Sequence, residues 1–152
     1  MLHSLHKKQL IKSTITELWN FISDPANLAT ITPPEMNFKT LSNLKDKKIH
    51  PGQIIEYQVS PLLGLKMHWV TEITHVKTEE YFVDEQRFGP YTFWHHQHSI
   101  KQTPNGIEMQ DDIHYKVPMG AIGRLLNKLF IAKKLERIFE YRKKKLEELF
   151  PN

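Results

Sequence analysis

Hydrophobic residues near the end of the chain recur at steps of three and four residues, which places them along one face of a helix. Charged residues, most of them lysine or arginine, lie between them. The pattern predicts one amphipathic helix over residues 121–150, about 40 Å long, whose apolar face lies on the rest of the protein. The residues of this face are Ile122, Leu125, Leu126, Leu129, Ile131, Leu135, Ile138, Phe139, Leu146, Leu149 and Phe150.

The middle of the chain changes to the alternating pattern of β-strands. Short connections join the last four candidate strands, which favours an antiparallel meander. The candidate strands cover residues 38–41, 54–59, 66–76, 81–88, 91–102 and 107–117, after a weaker one at residues 5–11. The expected connections are a lysine-rich loop at residues 45–48, a turn at 61–64, a two-residue hairpin at Gly89-Pro90 and a four-residue one at 103–106.

Two short helices are predicted between the first strand and the meander. Thr14 and Glu17 have the spacing of a capping box, in which side chains satisfy free amides at the start of a helix. A second helical segment over residues 27–31 is expected to end at Pro33-Pro34. The predicted order of elements is therefore strand, two short helices, six strands and one long helix.

This order is that of the α+β helix-grip fold, in which a curved antiparallel sheet of about seven strands wraps around a long C-terminal helix. Several short motifs accompany it. They are Phe21-Ile22-Ser23-Asp24-Pro25, Thr32-Pro33-Pro34, Trp69-Val70-Thr71-Glu72-Ile73, Val83-Asp84-Glu85-Gln86, Gly89-Pro90-Tyr91, Trp94-His95-His96-Gln97-His98, residues 111–115 and Pro118-Met119-Gly120. With these motifs the chain resembles the SRPBCC superfamily of START-like proteins, and within it a small bacterial branch that is similar to polyketide cyclases.

The resemblance covers essentially the whole chain. It implies a pocket for a small apolar or aromatic molecule between the sheet and the C-terminal helix. No agreed reaction belongs to the branch, so the resemblance implies a ligand class and no particular chemistry.

At 152 residues the chain is long enough for one domain, which we expect to span residues 1–152. The absence of cysteine excludes disulfides and thiolate metal sites. No apolar run approaches the roughly 20 residues that cross a bilayer, and the N-terminal residues lack a signal-peptide pattern. We therefore expect a cytoplasmic protein without stable membrane anchoring.

The formal net charge of +4 is concentrated in the predicted C-terminal helix. From Met119 onward the chain has nine Lys or Arg residues and four Asp or Glu residues. A basic face can contact an acidic membrane or nucleic acid, but no aromatic residues alternate with these cations as base stacking requires. We expect a solvated face and no nucleic-acid partner. An interaction module that uses this face stays an alternative, and both a monomer and a homodimer fit the sequence.

A polar cluster is predicted on the inner face of the sheet. Alternation places Trp94, His96 and His98 on one side of their strand and Asp111 on the apolar side of the last strand. Counting outward from the loop that joins these strands pairs His98 with Asp111 and Trp94 with Tyr115. The imidazole of His98 is then within hydrogen-bonding reach of the carboxylate of Asp111.

Counting across Gly89-Pro90 pairs Glu85 with Trp94, which would bring a second carboxylate to the inner face. A slip of one residue would reverse this assignment, because side chains alternate between the two faces. Aromatic residues are expected to line the same cavity. The candidate ligand-binding residues are Tyr57, Trp69, Glu85, Trp94, His96, His98, Asp111 and Tyr115.

Three interpretations fit the polar cluster. A buried carboxylate and a buried imidazole can simply satisfy each other, since each would be costly alone. The same groups can anchor a mostly apolar ligand. They can also perform chemistry, with His98 as a general base oriented by Asp111 in an enzyme of cyclase, dehydratase or hydrolase type, or with two histidines and a carboxylate around a metal ion. We predict ligand binding, keep the enzyme as an alternative, and expect neither a cofactor nor a resident metal.

Overall fold

A seven-stranded antiparallel sheet is the largest part of the described structure. The computed structural model describes residues 1–44, 48–62 and 64–151, without the side chains of Pro61 and Leu62. The predicted loop at residues 45–48 and the turn at 61–64 therefore lie partly outside the described residues. The strands are β1 (His3–Ile11), β2 (Lys39–Thr40), β3 (Gln53–Leu62), β4 (Leu65–Lys77), β5 (Tyr81–Phe88), β6 (Phe93–Thr103) and β7 (Gly106–Lys116).

The strand order across the sheet is β1-β7-β6-β5-β4-β3-β2. Strands β2 to β7 thus follow one another as a meander, and β1 lies at the edge beside β7. Every neighbouring pair is antiparallel. The meander of the last four strands is confirmed.

Short helices form the connection between β1 and β2. Helix α1 (Ile15–Ile22) begins as predicted after Thr14, whose hydroxyl accepts a hydrogen bond from the Glu17 amide at 3.2 Å. Two 3₁₀ turns follow, at Pro25–Ala29 and Pro34–Met36. The second predicted helix is therefore a 3₁₀ turn that begins two residues earlier than expected.

The C-terminal helix consists of three segments. Helix α2 (Gly120–Leu126) leads into a π-helical turn (Asn127–Ile131), and helix α3 (Ala132–Leu149) follows directly. Within the described ranges, no helix is both long and apolar enough to cross a membrane. The sheet, the short helices after β1 and this long helix together form the α+β helix-grip fold that the sequence predicted.

The first half of the C-terminal helix does not bury the predicted apolar face. Its buried residues are Gly123 and Asn127, whereas its large apolar side chains are exposed. The exposed side chains are Ile122, Leu125, Leu126, Leu129 and Phe130. A π-helical turn contains about one residue more than an α-helical turn, which rotates the preceding face by about 100° relative to the following one. The apolar face that is continuous in the sequence is therefore divided between two directions.

The core lies between the helices and the inner face of the sheet. One cluster includes Leu18 of α1 together with Ile55 of β3. A second cluster includes Leu135 and Phe139 of α3 together with Ile113 of β7. The site described below takes its lining residues from both clusters.

We predict that Leu146→Ala lowers the free energy of unfolding by about 2–5 kcal/mol, because Leu146 is 1% exposed and its loss leaves a cavity. The matched change Leu125→Ala, in the exposed half of the same helix, should alter it by no more than about 0.5 kcal/mol. Urea denaturation of both variants measures the difference. Equal losses would mean that α2 is packed in solution and would contradict the divided face.

Candidate functional site

Strands β6 and β7 pair in the register that the sequence predicted. His98 lies opposite Asp111 and Trp94 lies opposite Tyr115, and all four residues are buried. His96 lies on the same face as His98 and is 4% exposed. The inward orientation predicted for the two histidines and for Asp111 is confirmed.

The predicted pairing of Glu85 with Trp94 is wrong by one residue. Glu85 pairs with His95 on the outer face, where its carboxylate lies 2.9 Å from Nδ1 of His95. Asp84 pairs with His96 instead. The second carboxylate on the inner face therefore belongs to Asp84.

The turn between β5 and β6 explains this shift. The connection runs from Gly89 to Thr92 and is longer than the two-residue hairpin expected at Gly89-Pro90. The side-chain amide of Gln86 bridges it: the oxygen accepts from the N–H of Tyr91 at 3.2 Å, and the nitrogen donates to the carbonyl of Tyr91 at 2.6 Å. The longer turn shifts the pairing of β5 with β6 by one residue. Residues of β5 that were predicted on the inner face therefore lie on the outer face, and the reverse.

Two aspartates and two histidines form a closed network on the inner face. Nε2 of His96 lies 2.8 Å and Nδ1 of His98 lies 3.1 Å from Oδ1 of Asp111. The other ring nitrogens face Oδ2 of Asp84, with Nε2 of His98 at 2.7 Å and Nδ1 of His96 at 3.5 Å. The centroids of the two imidazoles are 3.6 Å apart. Each imidazole thus spans both carboxylates.

These distances indicate where the protons lie. An ionised carboxylate only accepts hydrogen bonds, and a neutral imidazole has a single N–H to donate. His98 has both nitrogens close to carboxylate oxygens, which fits an imidazolium that donates to Asp84 and Asp111. His96 has one short contact and one longer contact, which fits a neutral ring that donates from Nε2 to Asp111 and leaves Nδ1 bare.

The pKa values in the network follow the same pattern. Burial lowers the pKa of His98, but its hydrogen bonds to Asp111 and Asp84 outweigh burial and raise it above the ordinary value. Burial and the positive charge of His98 lower the pKa of His96. Burial alone would raise the pKa of both aspartates, yet hydrogen bonds and charge from the histidines hold each pKa below its usual range.

Arg142 brings a further buried cation from α3. Its Nη1 lies 3.8 Å from Oδ1 of Asp111, and its guanidinium lies over the ring of Phe139, 4.6 Å from the centroid. Arg142 and a protonated His98 together balance the charges of Asp84 and Asp111. The Nε of Arg142 is buried and has no hydrogen-bond partner among the described residues. The side chain of Arg142 thus carries a donor that is unpaired within the described part of the chain.

A cavity of about 190 Å³ lies beside the network, between the sheet and α3. Asp84, His96, His98 and Arg142 line it, whereas Asp111 does not. Apolar and aromatic side chains form most of the remaining wall. The network thus presents one side to the cavity, while Asp111 supports it from the other side.

The residues predicted from the sequence divide into two groups. Those that line the cavity are Tyr57, Trp69, Trp94, His96 and His98, and those that do not are Glu85, Asp111 and Tyr115. The ring of Tyr115 lies 5.7 Å from that of Tyr91, which does line the cavity. Burial raises the pKa of Tyr57 and of Tyr91, so both remain neutral phenols that can donate a hydrogen bond.

Two residues of the site, Asp84 and Arg142, are not among those predicted from the sequence. The shift of β5 conceals Asp84. Arg142 lies in a run of basic residues, but with Leu135, Phe139 and Leu146 it forms a series at steps of four, three and four, which is the spacing of one helix face. A charged residue on an apolar helix face needs a buried partner, and this signal is sufficient to mark Arg142 as a candidate.

We predict that Asp111→Asn lowers the free energy of unfolding by about 3–5 kcal/mol, because it leaves buried cations without their carboxylate. Asp112→Asn is the matched control, since Asp112 lies on the outer face with its carboxylate 2.7 Å from the half-exposed His6. Its effect should stay below about 1 kcal/mol. Chemical denaturation near neutral pH measures both values. Similar losses for the two variants would contradict the central role of the Asp111 carboxylate.

Comparison with known proteins identifies the fold. No family model and no curated protein matches the chain, but solved structures do. A START superfamily protein from Mycobacterium smegmatis has a TM-score of 0.71 at 17% identity, over 97% of this chain and 99% of that one. Major latex-like protein 151 from Panax ginseng has a TM-score of 0.71 at 12% identity, and a protein from Chromobacterium violaceum has 0.72 at 12% identity. Both of these matches cover 99% of each chain. The chain therefore has the helix-grip fold of START-like proteins, as the order of its elements predicted.

Proposed function

We propose that the protein binds a small aromatic molecule that carries an acceptor oxygen, in the cavity between the sheet and α3. One observation supports this most directly. The cavity is mostly apolar, and the polar groups on its wall include Arg142, whose buried Nε has no partner among the described residues. A few convergent polar groups in an apolar cavity are typical of small-molecule sites.

The volume of the cavity favours a ligand of one or two rings. A dry cavity of about 150 Å³ holds benzene, whereas pockets for drug-sized ligands begin at about 300 Å³. At about 190 Å³, this cavity has room for a substituted benzene or an indole. An intact lipid or a sterol would extend beyond this volume.

The wall of the cavity offers aromatic faces and edges. The rings of Trp69 and Trp94 meet edge to face with their centroids 5.2 Å apart. Tyr91 lies 4.9 Å from Trp94, and Phe139 of α3 also lines the cavity. Aromatic pairs in such arrangements contribute about 0.5–1.5 kcal/mol beyond the burial of their area. An aromatic ligand is therefore favoured over an aliphatic one of equal volume.

The polar wall would orient the ligand. A guanidinium has donors and no acceptor, so Nε of Arg142 needs an oxygen that the described residues do not supply. Hydrogen bonds to charged groups contribute about 1.5–3 kcal/mol. A hydroxyl, carbonyl or carboxylate oxygen on the ring would occupy this position.

The geometry gives less support to the alternative in which His98 is a general base. Both ring nitrogens of His98 lie within 3.1 Å of carboxylate oxygens, so neither has a free lone pair for a proton of the ligand. Nδ1 of His96 lacks a short contact with the described residues, since it lies 3.5 Å from Asp84, but burial lowers the pKa of that ring and makes it a weak base. Binding is therefore the function that the site supports best.

Trp69 and Trp94 make the proposal measurable by fluorescence, because both line the cavity. We predict a saturable change in tryptophan emission on titration with phenol, with one site per chain by calorimetry. Toluene has nearly the same size and lacks the oxygen, so it should bind more weakly. Failure of both phenol and benzoate to saturate a site would contradict the proposal.

Arg142→Met tests whether Arg142 anchors the oxygen of the ligand, because methionine keeps an unbranched apolar side chain and removes the donors. We predict at least a tenfold loss of phenol affinity, about 1.4 kcal/mol, and little change for toluene. Arg137→Met, at an exposed position of α3, is the matched control and should leave both affinities unchanged. Equal effects of the two substitutions would exclude Arg142 as the anchor.

A further inference from the structure

Three side chains that can bind metals converge at the wall of the cavity. They are Asp84, His96 and His98, and one ligand atom from each lies within 4.8 Å of the others. Oδ2 of Asp84 is 2.7 Å from Nε2 of His98 and 3.5 Å from Nδ1 of His96. Ligand atoms bound about 2.1 Å from one ion lie about 3.0–3.4 Å from one another. Small side-chain rotations would therefore bring all three within bonding distance of one ion.

Asp111 occupies the position of an outer carboxylate that orients both rings. It contacts the opposite nitrogen of each histidine, Nε2 of His96 at 2.8 Å and Nδ1 of His98 at 3.1 Å. Metal-binding histidines commonly donate their second N–H to a carboxylate, which fixes the tautomer and directs the other nitrogen at the ion. With both N–H groups directed at Asp111, the remaining nitrogens of both rings face Asp84.

The cavity lies on the open side of this triad. Asp84, His96 and His98 line it, and Asp111 does not. Two histidines and one carboxylate occupy one face of an ion and leave its other positions free. Those positions would face the cavity, where a water or an oxygen of a bound molecule can fill them.

We propose that Asp84, His96 and His98 bind one divalent first-row transition-metal ion, such as Zn²⁺ or Fe²⁺, and that Asp111 is the positioning residue. Two imidazoles and a carboxylate suit these ions, whereas Ca²⁺ and Mg²⁺ prefer oxygen ligands alone. The two aspartates match the charge of a divalent ion. Arg142 then remains as an unmatched cation, which favours an anionic oxygen as the next ligand of the metal.

Co²⁺ is the probe of choice, because its visible d–d absorption reports the number and geometry of its ligands. We expect the protein, after treatment with a chelator, to bind one equivalent of Co²⁺ with such a spectrum. Zn²⁺ should displace Co²⁺ and abolish the absorption. The titration contains no aromatic ligand, so its outcome is independent of the binding function proposed above.

Substitutions locate the ion. Asp84→Asn should lose the Co²⁺ spectrum at stoichiometric metal, and Asp84→Glu, which keeps a carboxylate, should retain more of it. Asp111→Asn should weaken binding about 10–100-fold, the usual effect of an outer partner, with the same spectrum at saturation. Circular dichroism verifies that each variant is folded.

Glu85→Gln and His95→Gln are the matched controls, because these residues form a carboxylate–imidazole pair, 2.9 Å apart, on the outer face. Both should bind Co²⁺ as the unaltered protein does. A folded unaltered protein that gives no d–d absorption would overturn the proposal. Binding that survives Asp84→Asn and is lost in the control variants would also overturn it, because it would assign the ion to the outer face.

Discussion

The carboxylate of Asp111 is the constraint on which the interior depends. It lies on the buried face of β7, where an unpaired charge would cost several kcal/mol. Strand β6 supplies His96 and His98 to it, and α3 supplies Arg142. Asp84 of β5 faces the other ring nitrogen of each histidine, which does not contact Asp111. Three strands and the C-terminal helix are thus held in one relative position by a single set of charges.

The same charges determine what the neighbouring cavity favours. A cavity lined only by apolar side chains stays dry and takes apolar molecules. Here one wall carries a guanidinium nitrogen without a partner among the described residues and two imidazoles. The aromatic walls favour a ring, and the polar wall favours an oxygen on that ring. An ion held by Asp84, His96 and His98 would strengthen the preference for an oxygen, because the free coordination positions of the ion would face the cavity.

Local patterns determined which parts of the structure could be predicted. The pairing of His98 with Asp111 follows from strict alternation and a short loop, and both are visible in the sequence. The position of Asp84 depends on the Gln86 side chain that bridges a longer turn, and hydrophobic alternation carries no trace of that contact. The exposed half of the C-terminal helix depends on a π-helical turn, which leaves the three- and four-residue spacing intact in the sequence. The spacing of hydrophobic residues therefore predicted the fold and three of the four residues of the network. The longer turn before β6 and the π-helical turn determined the rest.

A crystal structure of the protein grown with phenol would show whether the cavity binds this ligand. We expect a ring in the cavity against Trp69 and Trp94, with its hydroxyl oxygen within hydrogen-bonding distance of Nε of Arg142. We also expect His96 and His98 to keep their contacts with Asp111. A cavity filled by repacked side chains, or phenol bound only on the outer surface, would contradict the proposed binding function.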